Sequence, residues 1–400
     1  MFVAWAGGLL AQPFPYPKVL DARQFPVIAW GPSPSDLGQL ESMKLAGFNV
    51  SGFCGVEDLD KVRAAGLTCF VSDPLANGYY WKDVPPLEEM RKKAAQLNKR
   101  IAGNPAALGL FLADEPDASM FPALAAVANV LKAQMPTLWP YINGFPSNAG
   151  RSNIGKLKYD DYLRQQVLQV GQPFISYDHY AVSQGKVGDS FYANLEIARR
   201  VSLEMKVPFW NCILASALPN SMAPSPATLG VQVYSTLAYG GKGLQYFEYV
   251  NPDGADLSAT AIDGFGNRSP TWDMLRRLNG EIMTLAPTLL QLRSIGVYFY
   301  PTPFEPDQME SQIVESVRVT SSARTGGARL LIGEFVDSQQ RPFLLLVNAD
   351  LGASVLANIT LIDGDRKLMK LSPNSGRWLP FDSTSGEWLA PGAGMLVSVN

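Results

Sequence analysis

Most of the chain alternates between short apolar runs and amphipathic segments with helical spacing. The apolar runs cover residues 26–30, 48–53, 67–72, 108–113, 138–142, 174–177, 208–214 and 243–247. Runs that are apolar on both faces are typical of parallel strands covered by helices. The segments between them start at polar caps such as Ser35-Asp36 and stop at glycines such as Gly47. Eight such units predict a (β/α)₈ barrel over residues 25–292.

An open doubly wound sheet is the competing architecture for the same alternation. Such a sheet usually carries a glycine-rich phosphate loop after its first strand. Here residues 30–34 read Trp-Gly-Pro-Ser-Pro, which is not such a loop. The barrel is therefore the preferred prediction.

The pattern changes after residue 293, where helical spacing disappears. Strand-like runs cover residues 297–300, 313–320, 329–335, 343–347, 354–361 and 395–399. Turn signals such as Asp363-Gly364 and Ser385-Gly386 lie between or beside these runs. We predict an antiparallel β-sandwich over residues 293–400 that packs on the barrel as an accessory domain. Sugar binding by this domain is a less favoured alternative.

Composition restricts the possible partners. Hydrophobic residues make up 47% of the chain, charged residues only 17%, and the net charge of −3 is spread without runs. This excludes a polybasic surface for nucleic acid or membranes, and no stretch approaches the roughly 20 apolar residues of a membrane span. Oligomeric state leaves no signal in the sequence.

Two further features concern the cellular compartment in which the protein resides. Residues 1–24 form an N-terminal arm whose small, apolar residues 1–11 resemble the end of a secretory signal peptide, which predicts a secreted or periplasmic protein. A short buried or disordered arm is the alternative. Cys54, Cys69 and Cys212 are odd in number and lie in strand-like runs, so we expect buried, reduced thiols.

The most informative stretch is residues 108–116, Leu-Gly-Leu-Phe-Leu-Ala-Asp-Glu-Pro, an apolar strand that ends in two carboxylates. The carboxyl ends of barrel strands are where such enzymes place their chemistry. Pro116 is expected to restrict Glu115 to extended backbone angles. The alternative is that Asp114 and Glu115 merely cap the next helix.

In a barrel, polar and aromatic residues at the other strand ends would converge on one open cavity, the cup, at the carboxyl ends of the strands. Glu115, Glu248 and Asp178 are the candidate catalytic residues. The candidate substrate contacts are Trp30, Asp73, Asp114, Asn143, Tyr177, His179, Tyr180, Trp210, Asn211 and Tyr246. Carboxylates would perform the chemistry, amides would hold hydroxyl groups, and aromatic faces would stack on sugar rings.

Other chemistries lack their residues. One histidine in 400 residues and scattered cysteines exclude a histidine-based zinc site, so no metal is predicted. No Gly-x-Ser-x-Gly turn and no nucleotide-binding loop occurs, so no cofactor is predicted. Glycoside hydrolysis by two carboxyl groups fits the remaining residues, with a carbohydrate as the substrate. A catalytically inactive carbohydrate-binding barrel and, less favoured, a carboxylate-based polysaccharide lyase are the alternatives.

Trp30 at the first strand's end, Glu115 at the fourth, the Tyr-Asp-His-Tyr run at 177–180 and the trailing sandwich resemble the clan A glycoside hydrolases, loosely the β-galactosidase-like family 42. The resemblance implies that Glu115 is the general acid/base. It also implies an Asn before that residue and a nucleophilic Glu on strand seven, whereas this chain has Asp114 and no strand-seven carboxylate.

The missing glutamate leaves the second catalytic carboxylate open. Glu248 at the eighth strand is preferred over Asp178 at the sixth, unless the strand count slips by one. Strands four and eight lie opposite each other, so Glu115 and Glu248 would stand farther apart than in retaining enzymes.

Overall fold

The structure is a computed structural model. It describes residues 25–400 apart from residues 151, 156, 181, 184, 220, 252–256, 301–310 and 323–328. The predicted signal-peptide remnant at residues 1–11 lies outside the described residues.

Eight parallel strands form the barrel. They are β1 (Val27–Ala29), β2 (Val50–Cys54), β3 (Thr68–Val71), β4 (Ala107–Asp114), β5 (Trp139–Asn143), β6 (Ile175–Asp178), β7 (Phe209–Leu214) and β8 (Gly243–Phe247). Their order in the sheet is β5-β4-β3-β2-β1-β8-β7-β6. A parallel bridge between Gly144 and Tyr177 joins the remaining edges of β5 and β6. The predicted barrel is confirmed.

Helices follow the strands and cover the barrel. They are α1 (Leu37–Leu45), α2 (Leu59–Ala64), α3 (Pro74–Asn77), α4 (Leu87–Ile101), α5 (Phe121–Gln134), α6 (Tyr159–Leu168), α7 (Asp189–Met205), α8 (Pro226–Ala238) and α9 (Pro270–Leu289). The Asp36 carboxylate accepts a hydrogen bond from the Gln39 amide at 2.9 Å and so caps α1. In the part of the chain that the structure describes, no helix has the length and apolarity to cross a membrane.

The lower barrel is filled with side chains. Its interior cluster consists of Ile28, Val50, Phe70, Leu108, Trp139, Tyr141, Phe174 and Trp210. The rings of Phe174 and Trp210 stack at 3.6 Å between centroids. Trp30, Phe53 and Phe111 pack on this cluster and are only partly buried. The barrel is therefore closed below these three rings, and any ligand site lies above them.

The C-terminal strands form two antiparallel sheets, which confirms the predicted sandwich. They are β9 (Arg293–Tyr300), β10 (Val314–Ser321), β11 (Leu330–Val336), β12 (Pro342–Asn348), β13 (Val355–Leu361), β14 (Leu368–Leu371), β15 (Trp378–Pro380), β16 (Glu387–Leu389) and β17 (Gly394–Val399). The sheet orders are β9-β11-β12-β17-β14-β15 and β10-β13-β16. The sequence did not predict β14, β15 and β16, because runs of three or four residues are too short to show alternation.

The helix α8 joins the two parts of the molecule, and eleven of its thirteen residues are buried. Gly333 of β11 lies so close to it that a β-carbon there would stand 2.2 Å from the carbonyl oxygen of Ala238. A helix that is apolar on every side must be covered on every side, so the sandwich completes the burial of α8.

The cysteines differ from the prediction. Cys54 and Cys69 form a disulfide with their Cα atoms 6.1 Å apart, so the expectation of reduced thiols is wrong for both. The two residues lie on the neighbouring strands β2 and β3, a relationship that sequence spacing alone does not reveal. Cys212 is a free, buried thiol.

Candidate active site

Glu115 follows β4 in a left-handed backbone conformation with φ of 42°, so the expected extended conformation is wrong. Its amide donates to the Asn143 carbonyl oxygen at 2.8 Å, and this bond fixes the turn. Among the described residues, none hydrogen-bonds or ion-pairs with its carboxylate. Burial, followed by the charge of Asp114, raises the pKa of Glu115 to about 6.

Asn143 at the end of β5 joins two other carboxyl groups. Its Nδ2 donates to Oδ1 of Asp178 at 3.0 Å and to Oδ1 of Asp114 at 3.2 Å. Burial, then the charges of Glu115 and Asp114, raises the pKa of Asp178 to about 8. Desolvation also raises the pKa of Asp114, although this residue keeps part of its surface exposed. Three neighbouring strands thus bring three carboxyl groups together.

Glu248 directly follows β8 and is 6% exposed. The seventh barrel strand, β7, ends at Leu214 without a carboxylate, so the alternative of a slipped strand count is excluded. The amide of Glu248 donates to Ser216 Oγ at 3.2 Å. No hydrogen bond or ion pair joins its carboxylate to the rest of the described chain, and burial raises its pKa to about 7.

Cys212 of β7 is paired in register with Asp178 of β6. Burial raises the pKa of its thiol, and the charges of Asp178, Asp114 and Glu248 raise it further. The Cys212 side chain points inward on β7, the strand on which the family resemblance would place a carboxylate.

Three aromatic rings form one wall of the cup. Phe247 lies 5.6 Å from Trp30 and 5.3 Å from Tyr180, measured between ring centroids. The Tyr180 hydroxyl donates to Cys212 Sγ at 3.5 Å. All three rings are partly exposed. Sequence reasoning missed Phe247, although the alternation along β8 could have placed it on the same face as the inward-pointing Gln245.

Four predicted substrate contacts are wrong because their side chains do not reach the cup. Trp210 is fully buried in the lower barrel against Phe174. Asn211 points outward, and its Nδ2 donates to Thr236 Oγ1 of α8 at 2.8 Å. Tyr177 and Tyr246 are also fully buried. Each of the latter two is next to an inward-facing residue, so strand alternation turns it toward the helices.

Asp73 and His179 are held by protein partners. Asp73 caps α3 and forms an ion pair with Arg100 Nη1 at 2.5 Å. The ring nitrogens of His179 lie 3.1 Å from Asn194 Oδ1 and 3.1 Å from Ser190 Oγ. Burial lowers the pKa of His179, which favours the neutral ring. Neither side chain keeps a free polar group for a ligand in this arrangement.

The described residues contain no cluster of three or more His, Cys, Asp or Glu side chains arranged to hold a metal ion. Asn143 donates to Asp114 and Asp178, whereas no described residue forms a hydrogen bond or ion pair with the carboxylates of Glu115 and Glu248.

Comparison with known proteins supports the fold. No family model and no curated protein matches the chain. A family 5 glycoside hydrolase from Bacteroides vulgatus aligns with a TM-score of 0.59 at 12% identity, over 94% of this chain and 89% of that one. Another structure described as a glycoside hydrolase aligns with a TM-score of 0.54 at 12% identity, over 94% of this chain and 92% of that one.

A β-galactosidase from Rahnella sp. R3 also aligns, with a TM-score of 0.52 at 14% identity, over 68% of this chain. This chain spans 57% of that enzyme. The chain therefore has the barrel fold of glycoside hydrolases, in agreement with the broad resemblance seen in the sequence. Likeness at this identity concerns the fold alone, and membership of family 42 stays a prediction.

Proposed function

We propose that the protein is a glycosidase that hydrolyses a β-linked oligo- or polysaccharide. Glu115 acts as the general acid and Glu248 as the base or nucleophile. The observation that carries the proposal is the pair of carboxyl groups at the ends of β4 and β8, each without a hydrogen-bond or ion-pair partner in the described chain. Both follow the carboxyl ends of their strands, above a closed barrel floor, and Phe247 of the aromatic wall directly precedes Glu248.

Glycoside hydrolysis requires one protonated and one ionised carboxyl group. A carboxyl group with a pKa of about 6 remains partly protonated at neutral pH, which suits Glu115 to donate a proton to the leaving oxygen. Trp30, Tyr180 and Phe247 offer ring faces to the apolar side of a sugar.

Asp178 is the alternative partner for Glu115. Its pKa of about 8 keeps it mostly protonated at neutral pH, where a base must be ionised. It is also occupied by Asn143, whereas Glu248 is unoccupied. Both facts favour Glu248 as the second catalytic carboxylate and Asp178 as a group that binds substrate hydroxyls.

An inverting reaction fits the positions of the two glutamates. In the sheet order, β1, β2 and β3 separate β4 from β8 on one side of the barrel. Inverting enzymes separate their carboxyl groups by roughly 6.5–9.5 Å to admit a water molecule. Proton NMR of the first anomer released would test this, and a retained configuration would contradict it.

The test of function is hydrolysis of a panel of aryl β-glycosides and β-linked polysaccharides. Glu115→Gln is expected to lose about 10²–10⁴-fold in turnover on polysaccharides, and less on dinitrophenyl glycosides, whose leaving group needs no proton. Glu248→Gln should lose activity on both. Glu41→Gln, an exposed glutamate on α1, is the matched control. Full turnover of polysaccharide by Glu115→Gln would contradict the assignment.

A carbohydrate-binding barrel without catalysis is the second candidate. The absence of a carboxylate on β7, where the family resemblance requires one, favours it. Under this alternative the wild-type protein would bind polysaccharides in the same panel without releasing reducing ends.

Export is part of the proposal. The Cys54–Cys69 disulfide supports it, because disulfides persist mainly in oxidising compartments. Cell fractionation followed by N-terminal sequencing of the mature protein would test it. Recovery in the cytoplasm with residues 1–24 intact would contradict export.

A further inference from the structure

A chain of buried hydrogen bonds runs through the barrel interior beneath the carboxyl groups. Trp30 Nε1 donates to the Tyr141 hydroxyl at 3.0 Å, and that hydroxyl donates to Gln245 Oε1. Gln245 Nε2 donates to Ser176 Oγ at 2.9 Å. Ser176 Oγ then donates to Asn143 Oδ1 at 2.8 Å. This series of hydrogen bonds therefore runs from β1 to β5, β8 and β6 and returns to β5.

The first member gives this chain a fixed direction. An indole nitrogen can only donate, so the Tyr141 hydroxyl accepts from Trp30, and its single hydrogen is given to Gln245 Oε1. The oxygen of the same hydroxyl also lies 3.2 Å from Ser176 Oγ. The same reasoning orients the amide of Gln245 and the hydroxyl of Ser176. Asn143 consequently accepts through Oδ1 and presents only its NH₂ group to the carboxyl groups above it.

The residues that carry these hydrogen bonds are buried, so that losing any one bond is costly. Tyr141, Gln245 and Ser176 are 0% exposed, and Asn143 is 1% exposed. A buried polar group that loses its partner is destabilising, and water does not readily replace the missing bond there. The backbone of Ser176 is also fixed, because its amide donates to Gln166 Oε1 at 3.1 Å.

The direction of the chain has a chemical consequence. A donor facing a carboxyl group favours its ionised form, and the bonds from Asn143 lower the pKa values of Asp114 and Asp178 against the effect of burial. The charge on Asp114 in turn raises the pKa of Glu115. Asn143 thus connects the barrel interior to the protonation of the group that we assign as the acid.

We propose that Gln245 and Ser176 are positioning residues: with Trp30 and Tyr141 they form a polarised hydrogen-bond relay that holds the Asn143 amide in the orientation that donates to Asp114 and Asp178. Neither Gln245 nor Ser176 reaches the cup itself. The effect of the relay on catalysis rests on the proposed glycosidase function, whereas its effect on the titration of Asp178 does not.

Several titratable groups surround Asp178 and contribute to its titration. They are Asp114 and Glu115 at β4, Tyr159 and Tyr162 on α6, Tyr180 after β6, and Cys212 on β7. None of these groups is cationic, and all are unchanged by substitutions at Ser176 and Gln245.

The test is a titration of Asp178 followed by NMR of protein labelled with ¹³Cγ-aspartate, with the signal assigned from Asp178→Asn. In Ser176→Ala the amide of Asn143 is free to rotate, so the midpoint of Asp178 should rise above its wild-type value by at least about half a pH unit. Gln245→Met keeps the approximate size of the side chain but removes the donor to Ser176 without adding a titratable group, and should act in the same direction. Ser176→Thr, which restores a hydroxyl, should return the midpoint toward that of wild type.

Ser235→Ala is the matched control, because Ser235 is fully buried on α8 and lies outside the relay. It should leave the midpoint unchanged even if it lowers the melting temperature. An unchanged midpoint in both Ser176→Ala and Gln245→Met would overturn the relay.

Activity separates the relay from the proposed function. As Asp114 and Asp178 hold their protons more tightly in Ser176→Ala, the pKa of Glu115 should fall, which moves the acidic limb of the kcat/KM profile to lower pH and lowers its maximum. A shifted midpoint in a protein that hydrolyses no glycoside would retain the relay and refute the glycosidase. An active enzyme with unshifted midpoints would refute the relay alone.

Discussion

Gly31 lies directly against the carboxylate of Glu248 at the rim of the cup. A β-carbon on Gly31 would stand 2.3 Å from Glu248 Oε1, and Gly31 has a φ of 127°, which side chains rarely adopt. The backbone after β1 therefore passes beside the carboxylate only because Gly31 has no side chain. This close approach contributes to the burial that raises the pKa of Glu248.

Gly31→Ala should displace the Glu248 carboxylate, because the end of a flexible side chain moves more easily than the backbone. We expect kcat/KM to fall about 10²-fold, the usual cost of a displacement near 1 Å in a catalytic group. The matched control is Gly264→Ala, since nothing lies within 4 Å of a β-carbon at Gly264. Equal kinetics in both variants would show that Glu248 is not needed in its present position.

The pH dependence of kcat/KM should be a narrow bell. Activity requires protonated Glu115, with a pKa of about 6, and ionised Glu248, with a pKa of about 7. The acid has the lower pKa, so the reactive form is a minority species whose population is greatest between the two values. Rates measured from pH 4 to 9 on one aryl glycoside would test this. A broad plateau above pH 8 would contradict it.

Asp178→Asn should stabilise the fold more at pH 8 than at pH 4. The pKa of Asp178 is raised from its ordinary value of 3.8 to about 8 in the folded state, so between these values the folded protein binds the extra proton. Stability therefore decreases as pH rises through this window, and it is unaffected by the group below it. Urea unfolding of wild type and variant at both pH values measures the difference. An equal effect at both would contradict the raised pKa.

Trp210 and Phe247 should respond differently to truncation. Trp210→Ala removes a fully buried ring and should lower the free energy of unfolding by about 3–5 kcal/mol. Phe247→Ala removes a partly exposed ring of the aromatic wall, and should raise KM by about fivefold, equivalent to roughly 1 kcal/mol of ring contact. Denaturant unfolding and Michaelis–Menten kinetics on both variants test the contrast. The reverse pattern would show that the wall does not bind substrate.

The architecture was largely predictable, because strand and helix patterns are local. The eighth strand was placed at residues 243–247, where the structure has Gly243–Phe247. The predicted location of Glu115 and Glu248 at strand ends followed from the same local patterns.

The errors arise where a side chain's direction or neighbour matters. Trp210 and Asn211 were both assigned to the cup as neighbours in sequence, yet one fills the barrel floor and the other contacts α8. Cys54 and Cys69 bond because β2 and β3 are adjacent. Glu115 takes a left-handed turn because its amide is bonded to Asn143 on β5. Each depends on pairing between segments distant in the chain.

The sequence by itself determined the barrel, the sandwich and the set of carboxyl residues at the strand ends, since hydrophobic periodicity and turn residues act over a few positions. Only the tertiary structure decided which of those residues meet. Strand register sets which side chains point inward, and closure of the barrel brings Trp30, Gln245 and Asn143 into one hydrogen-bonded path. That path, and the isolation of Glu115 and Glu248 from any partner in the described chain, exist only once the eight strands are paired.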